Sequence, residues 1–253
     1  RLAALKAYGQ CSVVIDLIYG LPGQTMEVWE QDLADLVSSG VDGADLYQLN
    51  VFDGSDLNRD IASGKVPPAA TTSMQGDMFE FGRTYLEARA YRRLSAAHWS
   101  ANNRERSLYN ILAKAGVPMF PFGSGAGGNV DGYGMMLHRA LKPYEDMVSR
   151  GEKPFMALMK QSDLQPFVNQ VVSQLEQGYL NINTLVAMDS RLDELNWLYK
   201  LWEKRGLVLY NGLLYKLTSA GEFWTVNITQ STLEAMEYII TGKNSFALES
   251  VAA

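Results

Sequence analysis

The sequence predicts an α/β fold in which a parallel sheet covered by helices is followed by a mostly helical region. Three observations carry that expectation. A Val- and Ile-rich run, Ser12 to Tyr19, leads through a Gly-Pro turn into a helical pattern, as in a strand–helix unit of a parallel sheet. Strand and helix patterns then alternate to about residue 139. Beyond it, long helical stripes replace them.

Arg1 to Tyr8 reads as the last turns of a helix closed by Gly9, so the chain is expected to begin inside a domain. After the first strand, Thr25 is a helix N-cap, Trp29, Leu33, Leu36 and Val37 share one face, and Gly40 ends the helix. The second strand, Ala44 to Phe52, alternates. Tyr47, Leu49 and Val51 point one way, while Gln48 and Asn50 join Leu46 and Phe52 on the other, which suggests that Gln48 and Asn50 line a cavity.

Met74, Met78, Phe81, Gly82 and Tyr85 mark a helix within Thr71 to Ala90, and Leu94 to Trp99 a third strand. A helix from Arg104 to Ala115 carries Leu108, Ile111, Leu112 and Ala115 on one face. A fourth strand, Met119 to Phe122, runs into the glycine-rich segment Gly123 to Gly128, with a hairpin turn at Asp131-Gly132.

Two helical stripes follow, Leu164 to Leu175 and Leu192 to Trp202. A hairpin turning at Asn211-Gly212 and a helix from about Ser231 to Thr241 complete a winged-helix-like arrangement. These patterns place a sheet-bearing domain at 1–140 and a helical, winged-helix-like domain at 141–253, with the boundary near Leu141 to Pro154.

The 253 residues include 22 basic and 28 acidic ones, for a formal charge of −6 and no strongly basic tract, which argues against a nucleic-acid partner. No apolar stretch is long enough to cross a bilayer. A single cysteine, Cys11, excludes an internal disulfide, and a reducing cytoplasmic setting is expected.

Asp16 stands in an otherwise apolar strand, where a carboxylate needs hydrogen bonds or a ligand to offset burial. The turn after it, Gly20-Leu21-Pro22-Gly23, leaves the C-terminal end of the strand, where parallel α/β sheets bind ligands. Gly123, Gly125 and Gly128 satisfy a G-x-G-x-x-G spacing, but a hairpin follows instead of a helix, which rejects a dinucleotide site. The glycines allow either close approach of a flat ligand or a tight backbone crossing.

The chain holds two histidines, His98 and His138, each a satisfied structural residue or a candidate iron ligand. Arg92, Arg93, Arg104 and Arg106 flank the third strand, as partners for a ligand's carboxylates or as surface charges.

Asp16-Leu17-Ile18-Tyr19-Gly20-Leu21-Pro22-Gly23-Gln24-Thr25 resembles the signature of the radical S-adenosylmethionine (SAM) family that contains oxygen-independent coproporphyrinogen III oxidase and heme-trafficking relatives. Ala97-His98-Trp99-Ser100 and Phe122-Gly123-Ser124-Gly125-Ala126 are similar to further family segments. The run Gly127 to His138, and Phe223-Trp224, most resemble the anaerobic heme-degrading methyltransferase branch.

The resemblance implies the C-terminal part of a partial (β/α) radical SAM barrel. It makes Asp16, Phe52 and Gly127 SAM contacts, to which the alternation adds Gln48 and Asn50. It directs His98, Arg92, Arg93 and His138 toward heme. It implies SAM and a [4Fe-4S] cluster as cofactors, a flavodoxin-like electron donor, and methyl transfer to heme with opening of the macrocycle and release of iron. A coproporphyrinogen oxidase-like or heme-trafficking role is the alternative within the family, and a non-catalytic interaction fragment the alternative outside it. The family's C-x-x-x-C-x-x-C loop is absent and four predicted strands fall short of six. The N-terminal half of the barrel, with the cluster ligands, is therefore expected to lie outside this chain.

Overall fold

A computed structural model describes residues 1–243. The chain forms two compact units. The first comprises Arg1–Ser107 with the returning segments Trp202–Leu209 and Lys216–Thr225; the second comprises Leu108–Leu201, Tyr210–Tyr215 and the chain from Val226.

The first unit opens with helix α1 (Leu2–Ala7), strand β1 (Val14–Tyr19), helix α2 (Met26–Ser39) and strand β2 (Gly43–Gln48). Helices α3 (Asp56–Ala62) and α4 (Thr72–Glu87) and strands β3 (Arg92–Arg93) and β4 (His98–Ser100) follow. Helix α2 starts where expected because the Thr25 side chain accepts the Val28 N–H, and it ends at Gly40 in the left-handed conformation that glycine adopts without strain. Thr71 caps α4 in the same way through the Met74 N–H.

The sheet order is β1-β2-β4-β3. Strands β1 and β2 pair in parallel, as expected, whereas β4 pairs antiparallel to both β2 and β3. The reversal comes from a hairpin: the Leu94 N–H donates to the His98 carbonyl at 2.8 Å, which turns the chain back after β3. Ile15, Leu17, Tyr19, Ala44, Leu46 and Trp99 line one face of the sheet and pack against Trp29, Leu33, Leu36, Met78 and Leu86 from α2 and α4. Trp29 is fully buried, and its indole N–H donates to the Met78 carbonyl at 2.8 Å, joining the two helices under the sheet.

The second unit begins with α5 (Leu108–Lys114), strands β5 (Gly127–Val130) and β6 (Tyr133–Leu137), helix α6 (Leu141–Ser149), strand β7 (Phe155–Lys160) and helix α7 (Gln165–Glu176). It continues through β8 (Tyr179–Leu180), α8 (Ile182–Val186), a 3-10 turn (Ser190–Glu194) and α9 (Leu195–Lys204). The hairpin strands β9 (Val208–Tyr210) and β10 (Tyr215–Leu217) and helix α10 (Ser219–Phe223) fall largely in the segments that return to the first unit, and α11 (Thr225–Thr241) belongs almost wholly to the second. Strands β5, β6 and β7 form an antiparallel sheet of their own, and β8, β10 and β9 another.

Two expectations change here. Met119 to Phe122 does not continue the first sheet; it makes only a bridge between Met119 and Asn129, because the strands after residue 108 pair among themselves. The compact units divide between Ser107 and Leu108. The apolar stripe of α5 is also present but uncovered, since Leu108, Ile111 and Leu112 are all exposed. The hairpin turn at Asp131-Gly132 holds, with both residues at positive φ (50° and 76°), as a type I′ turn requires. No described helix is long and apolar enough to cross a membrane.

Gly43 has a steric reason: a Cβ there would stand 2.6 Å from the Trp99 carbonyl oxygen and 3.2 Å from Glu105 Cγ. Substituting Gly43→Ala forces the β2–β4 pairing apart and is expected to cost about 1–3 kcal/mol, measured as a lower urea midpoint at unchanged m-value.

Candidate functional site

The register of the first sheet sets Asp16 opposite Asp45 and Asp45 opposite His98. Cross-strand partners share a face, so these three residues form a row on the face that α2 and α4 leave uncovered. Ile18 and Tyr47 extend this face toward the C-terminal ends of β1 and β2, and both are exposed. Val14, Gly43 and Ser100 lie at the opposite end, where Glu105 from the following loop approaches.

His98 is only 4% exposed. Its Nδ1 lies 2.9 Å from Asp45 Oδ1, and its Nε2 lies 3.3 Å from Glu105 Oε1, close enough for charge attraction without forming a hydrogen bond. The hydrogen bond to Asp45 raises the His98 pKa above the ordinary histidine value. Burial opposes this, and the charges of Asp45 and Glu105 reinforce it. The two flanking carboxylates thus favour the protonated ring more than water does.

The turn after β1 owes its shape to two glutamines. Gln24 is buried, accepts the N–H groups of Gly20 and Leu21 at 2.8 and 3.2 Å, and donates to the Ile18 carbonyl and Asp32. Gly20 has φ +87°, and a Cβ on it would meet Gln75 Nε2 at 2.6 Å. Much of the Tyr19 to Gln24 sequence is therefore fixed by backbone geometry at the end of the strand.

The structure distributes the sequence-predicted residues unevenly. Asp16 is exposed, which corrects the expectation of a buried carboxylate; it lies on the face opposite the one that α2 and α4 cover. Gln48 lies on the helix-covered face, away from Asp16, with its Nε2 donating to Gln75 Oε1 at 2.9 Å, so it is an interior hydrogen-bonded partner and does not line the open face. Asn50 and Phe52 follow β2 in the loop at its C-terminal end; both are exposed, Phe52 to 72%.

Arg93 belongs with the helix-covered face as well. Its Nη1 pairs with Glu222 Oε1 at 2.8 Å and its Nη2 donates to the Ala96 carbonyl. Arg92 is exposed opposite Ser100, with Nη2 donating to Asn103. Arg104 binds the Gly9 and Cys11 carbonyls and approaches Asp42, while Arg106 is exposed.

Asp42 is a structural anchor. Burial works against its charge, yet the Val13 N–H, the Asn102 amide, Arg104 and Lys6 together hold its pKa below the usual range.

Gly127 and His138 fall in the second unit. Gly127 pairs with Met136 in the β5–β6 ladder and has open space where a side chain would stand. His138 is half-buried, and its carbonyl accepts the Gly125 N–H. Gly128 is explained by a tight crossing: a Cβ there would meet the Met119 carbonyl at 2.4 Å and Pro121 at 2.7 Å.

Sequence reasoning missed Asp45 and Glu105. The available signal for Asp45 was parity: it alternates with Leu46 in β2 and matches Asp16 in a parallel register. Glu105 is brought in by a loop, which no periodicity reports.

Among the described residues no group of three or more His, Cys, Asp or Glu side chains is arranged to hold a metal ion, and Cys11, the one cysteine, is exposed. The residues of this chain therefore do not fit a [4Fe-4S] cluster.

No family model matches the chain. It superimposes on coproporphyrinogen III oxidase (HemN) from Escherichia coli, a radical SAM enzyme, with a TM-score of 0.71 at 18% identity, covering 91% of this chain and 57% of that one. The fold is thus the mixed α/β fold of radical SAM enzymes.

In sequence the chain is 32% identical over 239 residues to anaerobilin synthase from Escherichia coli O157:H7, covering 94% of this chain and 53% of that protein. It is 23% identical over 146 residues to the heme chaperone HemW from Bacillus subtilis, covering 57% of this chain and 38% of the chaperone. The chain belongs to the HemN-like family of radical SAM proteins. It spans about half the length of anaerobilin synthase, and family membership implies SAM and a [4Fe-4S] cluster as cofactors.

The raised pKa of His98 has a consequence for stability. A histidine whose pKa is raised on folding adds stability that is complete below its unfolded value of about 6.5 and is lost as pH climbs through the folded value. The His98→Gln variant is therefore expected to be destabilised more at pH 5.5 than at pH 9, as read from urea unfolding at the two pH values. An equal loss at both would show that folding leaves the His98 pKa unshifted.

Proposed function

We propose that this chain supplies one wall of the SAM site of a cytoplasmic radical SAM methyltransferase that opens the heme macrocycle under anaerobic conditions, releasing iron and a linear tetrapyrrole. The observation that carries the reading is the open carboxylate of Asp16, set at the sheet's uncovered face beside the Asp45–His98 pair. The extended match to anaerobilin synthase supports the choice of substrate.

In this reading Asp16 accepts hydrogen bonds from the ribose or amino-acid portion of SAM, and the exposed Phe52 ring and Asn50 amide meet its adenosine end. SAM supplies the methyl group and, beside a reduced cluster, radical chemistry. The cluster cysteines and the remaining strands come from a segment outside this chain, and a flavodoxin-like protein delivers electrons. Residues 1–140 correspond to the C-terminal half of a partial barrel and 141–253 to a winged-helix-like domain, of which 244–253 lie outside the described residues.

On the tetrapyrrole side, Arg92 is exposed, whereas Arg93 would have to break its pair with Glu222 to reach a propionate. In the second unit the half-buried His138 is the heme-side candidate, while Gly127, with open space where a side chain would stand, stays a candidate for the adenosine end of SAM.

The fold match to coproporphyrinogen III oxidase and the heme chaperone match favour a second reading within the same family, in which the SAM wall is kept and the tetrapyrrole is used differently. A non-catalytic interaction module is the reading outside the family, favoured by the uncovered apolar stripe of α5.

In the full polypeptide, Asp16→Asn is expected to weaken SAM binding about tenfold to a hundredfold, as loss of a charge-assisted hydrogen bond costs roughly 1.5–3 kcal/mol. Calorimetric titration with SAM reads this directly, and unchanged affinity refutes the assignment. Hemin added to the same protein is expected to shift its Soret band; an unshifted band removes heme as substrate and leaves the other two readings.

A further inference from the structure

The row Asp16, Asp45, His98 and the approaching Glu105 present an electrostatic problem that fold stability alone does not require. Three carboxylates share one sheet face, two of them on adjacent strands in register. In a partly buried setting such like charges repel unless a cation stands among them. His98 is the cation that faces them.

Among the described residues no other basic side chain forms an ion pair with Asp45 or Glu105. Arg92, opposite Ser100, is bonded to Asn103, and Arg104 is bonded to the Gly9 and Cys11 carbonyls and drawn to Asp42. Arg93 is paired with Glu222 on the far side of the sheet. From β1 the group on this face is Asp16, from β2 Asp45, and from the loop before α5 Glu105.

We infer that His98 is a positioning residue: as an imidazolium clamped between Asp45 and Glu105 it fixes Asp45 beside Asp16 and sets the charge of the wall that faces SAM, and it is not a ligand to heme iron. This rests on the reading of the uncovered face as the SAM wall. Iron ligation requires a neutral imidazole with a free nitrogen lone pair and an open approach. His98 offers neither, because Asp45 occupies Nδ1, Glu105 stands 3.3 Å from Nε2, and the ring is almost wholly enclosed. When His98 loses its proton, its hydrogen bond to Asp45 weakens and the positive charge between Asp45 and Glu105 is lost. Asp45 is then free to swing away, and the wall changes both shape and charge.

The chain contains two histidines, so His138→Gln leaves His98 as the single imidazole signal. Nitrogen-15 spectra of that protein are expected to show a His98 titration midpoint above about 6.5 that falls in Asp45→Asn. A midpoint at or below about 6.5, or one unmoved by Asp45→Asn, overturns the inference without requiring any substitution at His98.

In the full polypeptide, SAM affinity is expected to weaken as pH rises through the same midpoint. The limb should vanish in His98→Gln, which keeps a donor toward Asp45 but cannot titrate. Hemin spectra are expected to be the same with and without that substitution, and loss of a low-spin histidine spectrum in His98→Gln would identify an iron ligand and overturn the proposal. Should the nitrogen spectra be as expected while SAM does not bind the wild-type protein at any pH, the SAM reading fails and the positioning role fails with it, while the charged cluster stands.

Discussion

Strand β2 is hydrogen-bonded on both edges, and the two registers it fixes govern the rest of the first unit. Because Asp45 pairs with Asp16 on one side and with His98 on the other, three ionisable groups are committed to a single face. Side chains alternate along a strand, so Ala44 and Leu46 are committed to the opposite face, where Trp29 and Met78 cover them. A slip of one residue in either pairing would bury the carboxylates under α2 and α4 and expose the core. Hydrophobic burial on one face thereby enforces the polar arrangement on the other.

The turn beyond β1 obeys the same logic. Gln24 and Gln75 are buried polar side chains whose partners are mostly backbone groups: the Gly20 and Leu21 N–H and Ile18 carbonyl for Gln24, and the Leu49 carbonyl for Gln75. Through Gln48, the second glutamine also ties β2 to α4. Buried amides that satisfy strand-end backbone groups hold the ends of β1 and β2 in place, and those ends carry Ile18, Tyr47 and the loop with Phe52. The rigidity of the site comes from this layer, while the residues expected to meet ligand stand exposed above it.

Much of the fold was legible because its signals are local. Helix α2 was readable from Thr25, its apolar stripe and Gly40, and the Asp131-Gly132 hairpin from its turn residues, since caps and turns need nothing beyond neighbouring sequence. The alternation in β2 was also read with correct parity, but polarity was taken to mark the open face. Gln48 shows why that fails: an amide can be buried if another amide satisfies it, and Gln75 comes from a helix that the strand pattern does not contain. Pairing direction was illegible for a similar reason. Whether β4 runs with or against β2 depends on the hairpin between β3 and β4, and no glycine pair or asparagine-glycine turn marks it.

Arg93 and Glu222 show how the returning segment constrains the chemistry open to the first unit. Burial raises the Glu222 pKa, and the charges of Arg93 and Arg83 oppose that rise, so the glutamate and its arginines are mutually dependent. Pulling Arg93 toward a propionate would leave a buried carboxylate with Arg83 alone at 3.8 Å, a loss that a surface arginine would not incur. The uncovered face of the sheet, by contrast, carries Asp16, Asp45 and Glu105 against His98 and, at the far end, Arg92 opposite Ser100, and is net negative. Such a face attracts cationic groups and repels carboxylates. In the proposed reading that polarity suits the ammonium and sulfonium of SAM better than the propionate edge of a tetrapyrrole.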